Sequence, residues 1–564
     1  MNDQENKNRS PINAGVLIII IAFLLITPQI IMKSMIIGSD SLFHFNRFYD
    51  TASQIRNGNF QYFIHMYGFQ QSGRIVNAFY GPMMAYLQGL LVLISSSWFT
   101  YQLLSNFILY IVSGFSMYIY LRKSSIKKES SLFISILFMT TFSIQYWIMR
   151  QGFSSWGAAL LPLCLLPILQ FKKQNTFNIL EVGFFVALMT QVHLFTALLV
   201  VIIYFVYFMI LFFKKKREKM KLLFSLFCSI LFFFLLTLNI WYSMFTLYKG
   251  NTINPPFINK NIHLNTVTSN SYYWLINPLF LFLFIGLKLY GDRKKWQNHD
   301  AYDKGTSFLI LLFFVLSTNL VPWKYLSTHH LFGIDFIQFP FRFFIPFTVL
   351  LLISCANLLN HLSLSSRQKS WFQLILFLSV AQVLFLTAGS SLKWKSDKPI
   401  PLSIHQFLTT ENLENIKNSF FNKDKSISLE LVQKSTPDYL PIYLDDSSNK
   451  YVEYEKYILN ENEKYKKEIE KNFLVISWEG ENLNNRTIPV IIYQNTNILF
   501  NNEILTANDM QVTSIGNPIV QDQKGKNSMK ISYKNPRFFS IVFFLTISTW
   551  ILYIGYTFLN LLKK

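Results

Sequence analysis

The sequence predicts an α-helical polytopic membrane protein with about twelve transmembrane spans and a small β-rich domain before the last span. Three observations lead to this fold class. Of the 564 residues, 51% are hydrophobic and 17% are aromatic. Several apolar runs are long enough, at about 1.5 Å rise per residue, to cross a hydrocarbon core about 30 Å thick. Lys and Arg residues also lie in short clusters between these runs, which is typical of multi-pass proteins.

The basic clusters set the predicted orientation, because Lys and Arg accumulate in cytoplasmic loops. These clusters lie at 122–128, 172–173, 214–221, 293–295, 367–369 and 563–564. Placing each of them inside makes both termini cytoplasmic. The predicted spans are then 14–36, 100–121, 130–147, 156–171, 177–192, 194–213, 221–239, 272–290, 305–320, 342–361, 371–389 and 537–561.

One apolar segment does not fit this alternation. Residues 83–96 are apolar but too few for a full span, and counting them as one would move the cluster at 122–128 outside. We therefore predict a re-entrant or in-plane helix that begins at Pro82 in its first turn.

The composition changes between 393 and 536, where the spans stop and Asn, Lys, Glu, Ser and Asp become frequent. A charged stretch at 455–471 is predicted to be helical, and the apolar runs after it, separated by Asn- and Gly-rich turns, are typical of strands. The predicted domains are a transmembrane domain over 1–392 with a large first external loop at 38–79, an extracytoplasmic β-rich domain over 393–536, and a C-terminal anchor over 537–564.

Charge and cysteine content exclude several classes of protein. The net charge of +21 does not indicate nucleic-acid binding, because the aromatic residues lie inside apolar runs and form no basic stacking surface. Cys164, Cys228 and Cys355 each lie within an apolar run. A disulfide framework is therefore not expected, and no Cys/His pair has the spacing of metal ligands.

The most informative residues are Asp40, His44 and Arg47, directly after the first span. On a helix, offsets of four and seven residues place these side chains on one face. An apolar site would leave a carboxylate, an imidazole and a guanidinium unpaired, so we predict a functional cluster where the span meets water.

A second group of candidate residues lies in the loop at 321–342, on the same predicted membrane face. It contains Lys324, His329, His330 and Arg342. Adjacent histidines point apart on both helices and strands, so His329 and His330 are not predicted to share a metal ion.

Motifs along most of the chain resemble a known group. An Asp early in a large first external loop resembles the organisation of GT-C glycosyltransferases. More closely, the chain resembles the bacterial YfhO-like membrane proteins, sometimes labelled 6-pyruvoyl-tetrahydropterin synthase-related. The motifs that carry this resemblance are GSDSLFHFNRFYD at 38–50, IRNGNF at 55–60, YGP at 80–82, MRQGFSSWG at 149–157, IQFPFRFFIP at 337–346 and PDYLP at 437–441. The tail at 487–505 and 525–533 is similar to the β-sandwich of that group.

The resemblance implies a GT-C-type glycosyltransferase of the bacterial cytoplasmic membrane. Such an enzyme transfers a sugar from a polyprenyl-phosphate-linked donor to a cell-envelope glycan, a teichoic-acid-like polymer or a lipid on the outer face. Asp40 matches the family position and would accept the proton of the acceptor hydroxyl. Arg150 or Arg342 would pair with the phosphate oxygens. No cofactor is predicted, and dependence on a divalent cation is left open.

Each assignment has an alternative. Asp40 could cap the helix that follows it, and His44 and Arg47 could be its ion-pair partners only. Arg150 and Arg342 could be snorkelling residues at the membrane interface. At the level of the whole protein, the alternatives are a transporter or flippase of lipid-linked sugars and a non-catalytic scaffold for envelope assembly.

Overall fold

The structure, a computed structural model, describes residues 13–329, 331–361, 365–400, 405–444, 448–481, 484–505 and 510–563. His330 therefore lies outside the described residues. The helices before residue 400 are α1 Ala14–Met32, α2 Ser41–Asn57, α3 Pro82–Ile94, α4 Trp98–Lys123, α5 Lys128–Thr140, α6 Phe142–Arg150, α7 Ser154–Cys164, α8 Leu166–Gln174, α9 Ile179–Val192, α10 Leu194–Lys214, α11 Lys219–Gly250, α12 Tyr273–Ile276, α13 Leu281–Lys295, α14 Ala301–Ser317, α15 Trp323–Thr328, α16 Phe344–Asn360 and α17 Ser366–Lys395.

Nine helical stretches in the described part of the chain are long and apolar enough to cross a membrane, counting α5–α6 and α7–α8 as one stretch each. They correspond to nine of the predicted spans. The other three predicted spans coincide with α9, α13 and α14, which have only 14, 15 and 17 residues. At about 1.5 Å rise per residue these helices are shorter than a hydrocarbon core of about 30 Å.

Helix boundaries follow local signals. α3 begins at Pro82 as predicted, after Gly81, whose φ of 67° is readily adopted by glycine. Ser97 and Thr100 form a capping box at the start of α4, which satisfies amides that the first helical turn leaves unpaired. Helix α11 continues to Gly250, beyond the predicted end of its span at 239, because the apolar pattern extends through Ile240, Phe245 and Leu247.

The region after α17 is β-rich, as predicted. Its helices and strands are β1 Gln406–Leu408, α18 Leu413–Ser419, α19 Ser426–Leu431, β2 Val432–Lys434, α20 Lys450–Tyr454, β3 Lys466–Glu470, β4 Phe473–Gly480, β5 Asn485–Thr487, β6 Thr496–Phe500, β7 Glu503–Leu505, β8 Gln511–Val512, β9 Pro518–Gln521 and β10 Gly525–Tyr533, followed by α21 Phe539–Leu562. The predicted helix at 455–471 is wrong beyond residue 459, because Lys466–Glu470 pairs with β4 as an edge strand.

Three antiparallel sheets form this β-rich region among the described residues: a two-stranded sheet β1-β2, and two larger sheets with strand orders β3-β4-β10-β6-β7 and β5-β9-β8. The two larger sheets pack against the first loop. Their buried side chains form one apolar cluster with residues 63–79 of the first loop. A backbone hydrogen bond also joins the first loop to the β-rich region, because the amide of Ile491 donates to the carbonyl of Ser72 at 2.7 Å. The first loop is therefore packed between the helical domain and the β-rich region, and the candidate site lies along this junction.

Candidate active site

Asp40 is the N-cap residue of α2, but its side chain makes no capping hydrogen bond. The capping alternative is therefore not supported, and the carboxylate is available for another role. The backbone of Asp40 is fixed by its amide, which donates to the carbonyl of Arg150 at 3.3 Å. Gly38 permits this close approach, because a Cβ at that position would lie 2.4 Å from the backbone of Arg150.

Three charged side chains act on the Asp40 carboxylate. Burial raises the pKa of Asp40 above its ordinary value, the positive charges of Lys434 and Arg342 partly oppose that rise, and the carboxylate of Asp438 adds to it. The Lys434 ammonium donates to the carbonyl of the neighbouring Ser39. Arg342 is therefore close enough to Asp40 to influence its carboxylate, as are Lys434 and Asp438 from a segment some 400 positions away in the sequence.

The segment at 434–440 is held in place by Arg74, whose side chain is fully buried. Its guanidinium donates to the carbonyl and the hydroxyl of Thr436 at 2.6 and 2.7 Å, and to the carbonyl of Asp438. One Asp438 carboxylate oxygen accepts from the amide of Phe257 at 2.9 Å. Burial raises the pKa of Asp438, and Arg74 opposes that rise.

Sequence reasoning did not identify Lys434, Asp438 or Arg74 as site residues. Asp438 lies inside the PDYLP motif, which we used only for the family resemblance. This motif is the sequence feature that could have identified Asp438 as a candidate site residue. Nothing in the local sequence around Lys434 or Arg74 distinguishes them from other basic residues, because their role depends on contacts between distant segments.

His44 and Arg47 lie behind Asp40 in the protein interior. Arg47 is fully buried, donates to the Asn77 side chain at 3.0 Å and to the Tyr80 carbonyl at 2.8 Å, and stacks over the Tyr80 ring. His44 packs against Phe48 and other aromatic rings, with its Nδ1 unpaired among the described residues. Burial and the charge of Arg47 hold the pKa of His44 well below 6.5, so the ring is neutral at physiological pH.

Neither residue forms an ion pair with Asp40 within the described ranges. His44 and Arg47 share the interior side of α2, as the helical spacing predicts, but the N-cap position directs Asp40 to a different set of partners. Among the described residues, their side chains contact Asn77, Tyr80 and aromatic rings and are not placed to exchange a proton with Asp40 directly.

The remaining predicted residues differ in their placement. The Arg150 side chain is exposed, and only its backbone contacts Asp40. Lys324 and His329 are exposed on and just after α15, where the His329 ring lies 4.2 Å from that of Tyr325. In the part of the chain that the structure describes, neither forms a hydrogen bond or an ion pair with Asp40. Among the described candidates of this loop, Arg342 joins the site.

Arg342 is held by its neighbours and does not extend freely from the surface. Its guanidinium donates to the Gln338 side chain at 2.9 Å and lies 4.9 Å from the centre of the Phe339 ring. Its Nε is buried and has no hydrogen-bond partner among the described residues. A buried donor without a partner is costly, and an anionic ligand would satisfy it. This geometry favours a binding role for Arg342 over simple snorkelling.

His193 lies next to this group, at the junction of α9 and α10. Its Nδ1 accepts from the Thr196 amide at 3.3 Å and is 2.8 Å from the Thr196 hydroxyl, so the ring caps α10. A neutral ring that accepts at Nδ1 carries its proton on Nε2. His193 is therefore a structural cap that still presents one hydrogen-bond donor.

The site combines two carboxylates, Asp40 and Asp438, with the cations Arg342, Lys434 and Arg74. This arrangement suits a reaction in which a carboxylate accepts a proton while cations stabilise an anion. No group of three or more His, Cys, Asp or Glu residues in the described ranges could hold a metal ion. A divalent cation here would find two carboxylates and would need further ligands from a substrate or from water.

Comparisons with known proteins do not assign the site. No protein-family model matches the chain, and no curated protein matches it either. The function has to be argued from the residues around Asp40.

Proposed function

We propose that the protein is an integral membrane glycosyltransferase of GT-C type. It transfers a sugar from a polyprenyl-phosphate-linked donor to a cell-envelope glycan, a teichoic-acid-like polymer or a lipid, on the extracytoplasmic face of a bacterial cytoplasmic membrane. The observation that carries the proposal is the Asp40 carboxylate at the end of an apolar helical domain. It makes no helix-capping hydrogen bond, and the positive charges of Arg342 and Lys434 act on it.

The proposed reaction is a displacement at the anomeric carbon. The acceptor hydroxyl gives its proton to the Asp40 carboxylate as its oxygen forms the new bond to that carbon. The bond from the anomeric carbon to the phosphate oxygen breaks, and polyprenyl phosphate leaves with the electron pair. Arg342 and Lys434 stabilise the negative charge that develops on the phosphate, with the planar guanidinium suited to paired phosphate contacts.

The basic residues at the opposite end of the helices support the proposed orientation. Lys173 donates to the Lys123 carbonyl at 3.0 Å, and Lys214 donates to the Asn175 side chain at 2.8 Å. These contacts gather clusters from separate loops at one end of the bundle. By the positive-inside tendency that end is cytoplasmic, which makes both termini cytoplasmic and residues 393–536 extracytoplasmic.

Cysteine labelling tests this orientation. In a background without the three native cysteines, Asn497→Cys on β6 should react with a membrane-impermeant maleimide in intact cells, because Asn497 is exposed in the β-rich region. Lys216→Cys, between α10 and α11, should react only after permeabilisation. The reverse pattern would place the Asp40 site in the cytoplasm and would overturn the proposed donor face.

Reconstitution tests the activity itself. The full-length protein in vesicles, supplied with a panel of polyprenyl-phosphate hexoses carrying labelled sugars and with an envelope fraction as acceptor, should transfer label when the donor is in the leaflet that faces the β-rich region. If the protein moves the donor across the bilayer but transfers no sugar, the glycosyltransferase proposal is wrong and the protein is a flippase. Absence of both transfer and movement would favour the scaffold.

A further inference from the structure

A polar cleft lies at the far end of the first loop from Asp40. It has a volume of about 590 Å³ and lies between the end of α2, the turn at 67–71 and the hairpin β3–β4. Its lining includes Asn57, Asn59, Tyr67, Gln71, Lys467 and Asn472. Because α2 has 17 residues, the end of the helix that lines the cleft lies about 25 Å from Asp40 at 1.5 Å rise per residue. None of the residues of the candidate active site lines the cleft.

Two of the three charged groups that line the cleft, Lys467 and Glu468, are already engaged, whereas Lys471 is exposed at its rim. The Lys467 ammonium donates to the carbonyls of Gln70 and Pro489, both at 2.8 Å. These contacts hold the β3–β4 hairpin against the first loop. Glu468 pairs with Lys466 at 2.7 Å on the exposed side of the strand. Neither charge is directed to a ligand by the structure.

Three of the four side-chain amides that line the cleft are available instead; the exception is Asn59, which is buried and accepts from the Gln61 side chain at 2.8 Å. The side chains of Asn57 and Gln71 form no hydrogen bond with the residues that the structure describes, and Asn472 only accepts one weak bond from Gln61, at 3.4 Å. Each side-chain amide can donate two hydrogen bonds and accept two. The half-buried Tyr67 adds a ring with an apolar face beside these polar groups.

We propose that this cleft binds a neutral glycan chain. Free amides match sugar hydroxyls, which both donate and accept, and an aromatic face matches the C–H face of a pyranose. The size and open, polar character of the cleft suit a chain segment that passes through it. Its role as a remote subsite for a polymeric acceptor rests on the proposed function, whereas glycan binding itself does not.

Binding is tested with the full-length protein in nanodiscs on an array of neutral and anionic bacterial-type oligosaccharides and polysaccharides. We expect retention of neutral chains, reduced at least tenfold by the double substitution Asn57→Ala with Asn472→Ala. Asn497→Ala is the matched control, because Asn497 is exposed on β6 outside the cleft. Lys471→Gln tests the contribution of the exposed lysine at the rim.

The outcomes separate the glycan from other ligands. Retention of no neutral chain, or equal retention by the double variant and the wild type, overturns the proposal. So does binding confined to polyanions that is lost with Lys471→Gln or at high salt, since that would identify an electrostatic site. Asp397→Asn should leave array binding unchanged, because Asp397 is exposed and lies outside the cleft.

Kinetics distinguish the acceptor role from the proposed activity. If transfer is observed, the double variant should raise the KM for a long acceptor with little change in kcat, and should not affect a short acceptor that cannot reach the cleft. Equal KM values for the long acceptor would refute the acceptor role. If glycans on the array bind at the cleft but no sugar transfer is detected, the glycan-binding proposal is supported and the proposed glycosyltransferase function is refuted.

Discussion

Asp40→Asn should reduce the rate of sugar transfer by about 10²- to 10⁴-fold, the usual contribution of a general base. The substitution keeps the size of the side chain but removes its negative charge and its basic oxygen. Folding should not be impaired, because the Asp40 side chain makes no capping bond and its raised pKa means that the ionised carboxylate does not stabilise the folded state at neutral pH. The measurement is label transfer in the reconstituted vesicles, with protein amount and thermal stability determined in parallel. Normal transfer by Asp40→Asn would remove Asp40 from the chemistry.

The pH profile gives a second readout of the same residue. Burial raises the pKa of Asp40 above the ordinary 3.8, so the ionised, active form is lost at a higher pH than for an exposed aspartate. The acid limb of the transfer rate should therefore have its midpoint above pH 3.8. The contribution of Asp40 to stability has the opposite pH dependence from its contribution to activity. Because the carboxyl pKa is higher in the folded state than in the unfolded chain, Asp40 favours folding most at low pH, and this contribution is lost as the pH rises through the folded-state pKa. Asp397→Asn, at an exposed position, is the matched control for both measurements.

Asp50→Asn should destabilise the first loop by about 3 to 5 kcal/mol, because hydrogen bonds to a charged group contribute about 1.5 to 3 kcal/mol each and the substitution leaves buried donors unpaired. The fully buried Asp50 carboxylate faces only donors: the amides of Tyr67 and Gly68 at 2.7 and 3.1 Å, the Gln54 side chain at 2.6 Å and the His65 ring at 2.9 Å. An asparagine in either orientation would place its NH2 group against two of these donors. Hydrogen exchange of the Tyr67 and Gly68 amides should accelerate at least about 100-fold.

The pH dependence of this contribution has a definite sign. Burial opposes ionisation of Asp50, yet His65 and the two backbone amides outweigh it and hold the pKa below the ordinary 3.8. The stabilisation is therefore present above pH 3.8 and is lost as the pH falls through the lower folded-state value. Asp303→Asn is the control, because its ion pair with Lys172 is partly exposed and should contribute less than about 1 kcal/mol. Equal effects of the two substitutions would contradict the structural role of Asp50.

The periodicity and composition of the chain were sufficient for the coarse fold. Nine of the predicted spans correspond to helices long enough to cross a membrane, and the β-rich region lies where the composition changes. The other three predicted spans coincide with α9, α13 and α14, which are shorter than a hydrocarbon core. Local signals also placed the start of α3 at Pro82, because proline and glycine constrain the backbone wherever they occur.

The sequence also singled out Asp40, and the predicted topology placed Arg342 on the same membrane face. Helical spacing grouped Asp40 with His44 and Arg47, and spacing describes only one helix. It predicted correctly that His44 and Arg47 lie on one side of α2. It could not show that Asp40 would end as an N-cap residue without a capping bond, facing another part of the chain.

By itself, the sequence determined a helical membrane protein with a β-rich C-terminal region and a charged first loop, because those properties follow from runs and periods of neighbouring residues. Only the tertiary structure decided that Lys434 and Asp438 reach Asp40, that Arg74 holds their segment, and that Asp50 has a structural role. The physical reason is that burial and electrostatic pairing depend on which distant segments pack together. That packing is fixed by the apolar cluster shared between the first loop and the β-rich region, which no local pattern specifies.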